Sequence, residues 1–354
     1  MDIEIGKRMK KKIKYLIIGS AATDDPKTHG GVTILVRQLL TYFNEKNKDY
    51  IFIQAKKFNV GKLSVLFNYL YIVYKTLINI NKVDIIMINV TKNTAYYVAP
   101  IILVIAKIFN KKFVFRKFAG NCIEVYQAAN SWKQKLMDYL VKNADIMFFE
   151  PKYLVEYFSK KRKKVFWFPN VRIQPQHIRD LNRKYEKKFV FLGQIRTAKG
   201  VDELIEAFKG LSFEYQLDLY GDLYDKKYTE QYFDTYENIT YRGYLNNKVV
   251  YETLSQYDVL VLPSYMEGYP GVLLEAFAIG LPVIATNLPS IKEMVDDTNG
   301  VLIEAKTVKP LIAAVKHFDQ ENYINYSDAA LKRFKAFEYE STYQRIIDIC
   351  EKDI

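Results

Sequence analysis

The stretch Pro263-Ser264-Tyr265-Met266-Glu267-Gly268-Tyr269-Pro270-Gly271-Val272-Leu273-Leu274-Glu275 decides how this chain is read. An apolar strand pattern ends in a tight Gly/Pro loop, and a helical pattern opens at Gly271. Gly268 and Gly271 let a ligand approach backbone N–H groups, and a helix N-terminus is a ready anion site. Glu267 in the loop and Glu275 on the helix can accept hydrogen bonds from hydroxyls beside that anion. A ligand with both groups, such as a nucleotide sugar, fits the combination. Spacing alone carries no weight, since Glu206 and Glu214 are also eight apart but join a helix pattern to a strand pattern without a Gly/Pro loop.

Working outward, 354 residues exceed what one core usually supports, which predicts two domains. Apolar residues make up 49% and charged residues 26%, a globular balance. Two cysteines, Cys122 and Cys350, and three scattered histidines, His29, His177 and His317, suggest neither a disulfide framework nor a metal site. The N-terminal basic run leads into an apolar stretch too short for a signal peptide, so it reads as a first strand and the protein as cytoplasmic. Net charge is +12, unevenly spread: residues 1–170 hold 30 Lys+Arg against 12 Asp+Glu, or +18, and the rest hold 22 against 28, or −6. Such asymmetry points to an anionic surface facing the first half. Aromatic content of 15% suits sugar stacking or a membrane interface as well as core filling.

Apolar β-branched runs alternate with helical patterns, the mark of α/β units on a parallel sheet. Strands are expected at Ile13–Ile18, Tyr50–Gln54, Asp84–Val90, Lys112–Lys117, Asp145–Glu150 and Val165–Phe168. Helices at 32–46, 62–81, 95–109, 131–143 and 151–160 separate them. The pattern restarts with strands at Phe189–Gly193, Gln216–Tyr220, Ile239–Tyr241, Val259–Leu262, Val283–Ala285 and Gly300–Ile303, with helices near 201–209, 227–235, 247–256, 271–279 and 308–318 and a helical tail at 321–353. The predicted architecture is two Rossmann-like, doubly wound α/β domains facing a central cleft. Residues 1–169 form the first domain, 170–335 the second, and 336–354 a final helix expected to pack back on the first. Tyr97–Phe109 is too short to span a bilayer, and 60–81 carries Lys62 and Lys75. Aromatic residues beside lysine in 60–82 suit a peripheral membrane surface.

A second loop, Phe191-Leu192-Gly193-Gln194-Ile195-Arg196-Thr197-Ala198-Lys199-Gly200, follows a strand and opens a helix with two cations in it. Cations there are well placed to neutralise a diphosphate leaving group. Together with Leu219-Tyr220-Gly221-Asp222, Tyr241-Arg242-Gly243-Tyr244, the strand Asp258–Leu262 running into E-G-x-P-x-x-x-x-E, Gly280–Thr286 and Asn299–Ile303, this order of motifs resembles the donor-binding domain of retaining GT-B glycosyltransferases, the large GT4 family. The likeness covers roughly residues 188–305. It implies that Glu275 binds the donor ribose and Glu267 the transferred sugar, that Lys199 holds the diphosphate, and that backbone N–H groups around Tyr269–Val272 cap it. Catalytic roles fall to Glu267, Lys199 and Arg196. Donor binding falls to Gly30, Gly31, Gly193, Lys199, Arg196, Gly221, Arg242, Gly243, Gly268, Tyr269, Pro270, Gly271, Val272, Leu273 and Glu275. The resemblance implies no metal and no cofactor beyond the nucleotide sugar.

One position departs from the pattern: Gln194 stands where many members have arginine. Arg196, two residues on, keeps the same face of an extended segment and is the candidate replacement. In the first half, Thr28-His29-Gly30-Gly31-Val32 resembles the family's glycine-rich loop. His29, Arg116, Lys117 and Asn121 are candidates for acceptor contact, without a choice among them, and His29 reads as a loop histidine before a catalytic one. The function implied is hexosyl transfer from a nucleotide sugar, with UDP the preferred carrier, to a glycan or lipid-linked acceptor in cell-surface polysaccharide synthesis. A nucleotide-sugar epimerase and a non-catalytic nucleotide-sugar binder are the alternatives. Nucleic acid is set aside because no recognition motif accompanies the basic half. A dinucleotide dehydrogenase is set aside because Ile13–Gly19 leads into Ser-Ala-Ala-Thr rather than G-x-G-x-x-G.

Overall fold

The computed structural model describes residues 12–23, 31–56, 63–90, 92–118, 122–176, 178–246 and 248–352. Two six-stranded, all-parallel sheets organise the chain. The first contains β1 (Lys14–Gly19), β2 (Asp49–Gln54), β3 (Ile85–Val90), β4 (Lys112–Lys117), β5 (Ile146–Phe149) and β6 (Val165–Trp167), in the order β2-β1-β3-β4-β5-β6. The second contains β7 (Lys188–Leu192), β8 (Gln216–Tyr220), β9 (Ile239–Tyr241), β10 (Val259–Leu262), β11 (Val283–Thr286) and β12 (Gly300–Ile303), in the order β12-β11-β10-β7-β8-β9. The fold is the expected pair of doubly wound domains, and all twelve strands lie where the apolar runs place them.

Both sheets are covered on both faces, which is why their strands read as near-continuous apolar runs. In the first, Leu16, Ile18, Ile86, Ile88, Phe113 and Phe115 pack under the helices Ser64–Asn79, Ala99–Ile108 and Ser131–Asn143. The alternate residues Tyr15, Ile17, Ile85, Met87 and Val114 pack under Gly31–Glu45. That second face is completed from the other end of the chain. Tyr343, Ile346, Ile347 and Cys350 of the helix Tyr339–Glu351 lie buried in the same cluster. Cys122 and Cys350 are both buried.

The chain therefore crosses between domains twice, and the two crossings touch. The Arg172 N–H donates to the Phe337 carbonyl at 3.1 Å, and the Tyr339 N–H donates to the Arg172 carbonyl at 3.2 Å. Trp167 and Tyr269 both pack on Phe337, with ring centroids 5.8 and 6.2 Å away. Farther out, the Glu293 carboxylate of the second domain accepts the Lys152 and Tyr153 N–H groups, at 2.6 and 2.7 Å, and so caps a first-domain helix.

Differences from the expected helices have local causes. The pattern at 95–109 is broken into Lys92–Tyr97 and Ala99–Ile108, because Pro100 starts a helix well but ends the one before it. The tail at 321–353 breaks at Glu338, which is extended where the chain returns to the first domain and caps the last helix with its own carboxylate. The pattern at 227–235 shrinks to Glu230–Phe233, and the short helices Cys122–Gln127 and Pro289–Lys292 have no strong sequence signal.

If the last helix completes the first domain, removing its largest buried side chain must destabilise that domain. Tyr343→Ala is expected to cost about 3–5 kcal/mol. Both tryptophans, Trp132 and Trp167, precede the first crossing, so fluorescence-detected urea unfolding reads this domain. A wild-type midpoint in the variant would contradict the covering role.

Candidate functional site

The winding of the second sheet reverses between β7 and β10, which are neighbours. Loops leaving the carboxyl ends of these two strands flank a crevice, the usual ligand position in such sheets. They are the two loops with the sequence motifs.

The two loops are stitched together. Gly200 has φ +73°, and a Cβ there would stand 2.1 Å from the Pro263 carbonyl oxygen, so no larger residue fits without displacing the second loop. The Tyr265 N–H donates to the Ala198 carbonyl at 3.1 Å. The Tyr265 hydroxyl donates to the Glu203 carboxylate at 2.7 Å. Between these anchors the Lys199 ammonium meets the Glu267 carboxylate at 2.6 Å, with the two side chains 26% and 11% exposed. Lys199 and Glu267, 68 residues apart, therefore share one site.

Arg196 lies in extended backbone, its guanidinium carbon 4.7 Å from the Tyr224 ring centroid. The Asp225 carboxylate accepts the Thr197 N–H at 2.7 Å and fixes the turn between the two cations. Beneath, the Gly193 N–H donates to the Tyr220 carbonyl at 3.0 Å and the Gly221 N–H to the Gly243 carbonyl at 2.9 Å. The predicted glycines thus line up across β7, β8 and β9. Arg242 is held by Asp218 at 2.9 Å, and Asp218 also accepts the Tyr257 hydroxyl at 2.6 Å.

From Gly268 the second loop runs into the helix Gly271–Ala278, whose N-cap is Pro270 and whose start has no side-chain cap. Tyr269 is buried against Phe337, and the Asn170 side chain donates to its carbonyl at 2.6 Å. What Tyr269 offers a ligand is its backbone. Val272 is half-buried against the core and Leu273 is within it. Glu275, one turn along from Gly271, pairs with Arg172 at 2.8 Å. A cavity of about 270 Å³ opens beside this pair, with Ile34 and Gln38 of the first-domain helix on its far wall and Val250 and Tyr251 on the near one. This cavity thus lies between the two domains.

On the first-domain side, Gly31 begins its helix in an exposed position. His29, Gly30 and Asn121 lie outside the described residues. Arg116 is fully buried, its guanidinium carbon 3.4 Å from the Phe168 ring centroid and 4.5 Å from that of Phe118. Its three nitrogens have no hydrogen-bond acceptor of good geometry among the described residues, and burial holds its pKa below the usual value. An acceptor reaches it only if the surrounding aromatic cage opens. Lys117 is also buried, donating to the Phe118 carbonyl at 2.8 Å.

Two residues that contact Tyr269 and Glu275 escaped the sequence reading, Asn170 and Arg172. Pro169-Asn170 was legible as a domain boundary, but nothing in the spacing reveals that the linker touches the helix Gly271–Ala278 from across the hinge.

Comparison with known proteins agrees with this geometry. The glycosyl transferases group 1 family matches residues 174–332. A Klebsiella pneumoniae 41.2 kDa protein in the cps region is 26% identical over 310 residues, covering 81% of this chain and 84% of that one. The putative teichuronic acid biosynthesis glycosyltransferase TuaC of Bacillus subtilis is 30% identical over 132 residues, 37% of this chain and 33% of that one. Among solved structures, Anabaena HepE in complex with UDP superposes with a TM-score of 0.71 at 12% identity, over 95% of this chain and 99% of that one. Residues 174–332 therefore belong to the glycosyl transferases group 1, and the chain as a whole has the GT-B fold.

Proposed function

We propose that this protein is a retaining glycosyltransferase that moves a hexosyl group from a UDP-sugar to a glycan or lipid-linked acceptor in cell-surface polysaccharide synthesis. The observation that carries this reading is the Lys199–Glu267 pair, set between two stitched loops and beside an uncapped helix start. The cation and the carboxylate satisfy each other. A bound donor offers each a better partner: the diphosphate for Lys199 and the sugar hydroxyls for Glu267. Charge grows on the departing diphosphate as the glycosidic bond breaks, and preorganised cations with helix N–H groups stabilise that charge in a partly water-excluded site. Lys199 and Arg196 supply the positive charge, so the scheme calls on no metal. Glu275 takes the ribose hydroxyls, and the turn at Arg242–Gly243 lies where a base would be read. UDP is preferred because UDP is the ligand in the HepE complex. The polysaccharide setting follows the Klebsiella and Bacillus relatives.

We also propose that the first domain rests on an anionic membrane surface at the cytoplasmic face. Leu63, Leu66, Phe67, Leu70 and Tyr74 on or beside the helix Ser64–Asn79 are exposed, as are Ile101, Val104 and Ile108 on Ala99–Ile108. The two helices pack together, and Tyr69, Tyr97 and Trp132 link them to Ser131–Asn143. Lysines flank the aromatics, with the Lys133 ammonium 5.5 Å from the Trp132 ring centroid and that of Lys75 5.9 Å from Tyr71. An apolar face rimmed by lysine, on a half-chain of charge +18, complements an anionic bilayer. No helix among the described residues is long and apolar enough to cross a membrane.

Lys199→Ala is expected to lower kcat/KM for the sugar donor about 10²–10³-fold. Glu267→Gln should lower kcat while leaving UDP affinity within a few-fold, because its partner is the sugar. Steady-state kinetics with UDP titrations checks both, and wild-type turnover in Lys199→Ala would remove the diphosphate role. For the membrane face, the double variant Leu66→Glu/Leu70→Glu should lose sedimentation with phosphatidylglycerol vesicles at low salt while keeping its melting temperature. Equal sedimentation of variant and wild type would place any membrane contact elsewhere.

A further inference from the structure

Arg172 is a cation placed against both Gly271 and Glu275, and no sequence motif contains it. Its backbone is fixed at the double crossing by hydrogen bonds to Phe337 and Tyr339. From there the side chain reaches the helix Gly271–Ala278. Nε donates to the Glu275 carboxylate at 2.8 Å, and Nη1 donates to the Val171 carbonyl at 3.0 Å. Nη2 rests on the first helical residue, 1.9 Å from where a Cβ on Gly271 would stand. Gly271 and Glu275 are one turn apart and share a face, so one planar guanidinium spans from helix start to carboxylate.

This is an unusual seat for a cation. A helix start carries partial positive charge and disfavours a guanidinium, and here the Glu275 pairing and the Val171 carbonyl offset that. The same helix start favours an anion. A ribose arriving at Glu275 competes for the carboxylate that Arg172 occupies, and a diphosphate arriving at Gly271 comes directly beside Nη2. Both changes favour moving the guanidinium from carboxylate to phosphate, and the fixed backbone makes this a side-chain rotation.

We propose that Arg172 is a donor-binding residue that exchanges partners, passing from the Glu275 carboxylate to the nucleotide diphosphate when the donor binds. The inference rests on the donor-site reading above. It assigns the third diphosphate cation, beside Lys199 and Arg196, to the linker between domains rather than to the loop in which Gln194 replaces arginine. Donor occupancy is then sensed where the two crossings meet.

The test compares UDP with uridine, which has the ribose and base but no phosphate, by calorimetric titration of wild type, Arg172→Gln and Arg172→Lys. In Arg172→Gln, UDP affinity is expected to fall about 10- to 100-fold while uridine affinity is unchanged or rises, because Glu275 is released. Arg172→Lys should recover part of the UDP affinity. Thermal melting of all three proteins separates ligand effects from misfolding. Equal losses for UDP and uridine would reduce Arg172 to a structural support, and unchanged affinities for both would remove it from the site; either overturns the proposal. A wild type that binds neither ligand would instead overturn the donor-site reading itself, and this inference with it.

Discussion

The proposed donor site depends on two loops held together at the point where the second sheet reverses its winding. Lys199 and Glu267 meet at 2.6 Å because Gly200 lets one backbone lie against the carbonyl of Pro263, and because the Ala198 carbonyl takes the Tyr265 N–H. The pair is partly buried, so each charge depends on the other. Partly buried pairs of this kind add little net stability, since desolvation offsets most of the attraction. Their value here is positional: a cation and a carboxylate are kept ready at the place where a diphosphate and a sugar would enter.

The hinge imposes the second constraint. The linker after β6 and the segment before the last helix bind each other through backbone hydrogen bonds, and the last helix supplies part of the first domain's core. The two domains therefore cannot separate without uncovering Tyr343 and its neighbours. At the crossing, Asn170 holds the Tyr269 carbonyl and Arg172 holds Glu275. The donor helix is in this way tied to the linker by side chains as well as by packing, while Glu293 adds a further link at the outer edge.

The sequence made the framework readable for a physical reason. Parallel strands covered on both faces must be apolar along their whole length, so runs such as Ile85–Val90 and Val259–Leu262 stand out from the amphipathic helices around them. The two loops of the candidate site were readable because glycine, proline, cation and carboxylate occur together in a short span. Helix ends at Val98 and Glu338 were less readable, since they are set by a proline in one case and by a domain crossing in the other. The partners of Glu275 and Tyr269 were not readable at all. Arg172 and Asn170 reach them across a distance of about a hundred residues in sequence, through a linker whose composition announces only a boundary. Arg116 shows the opposite failure: a basic residue at a strand end looks like a ligand contact, but here an aromatic cage encloses it.

A crystal structure of the protein with UDP bound tests the central claim most directly. The diphosphate should lie between the Lys199 ammonium and the start of the helix Gly271–Ala278, the ribose on Glu275, and the Lys199–Glu267 pair should be open. UDP bound elsewhere, or bound in the crevice with that pair still closed, would contradict it.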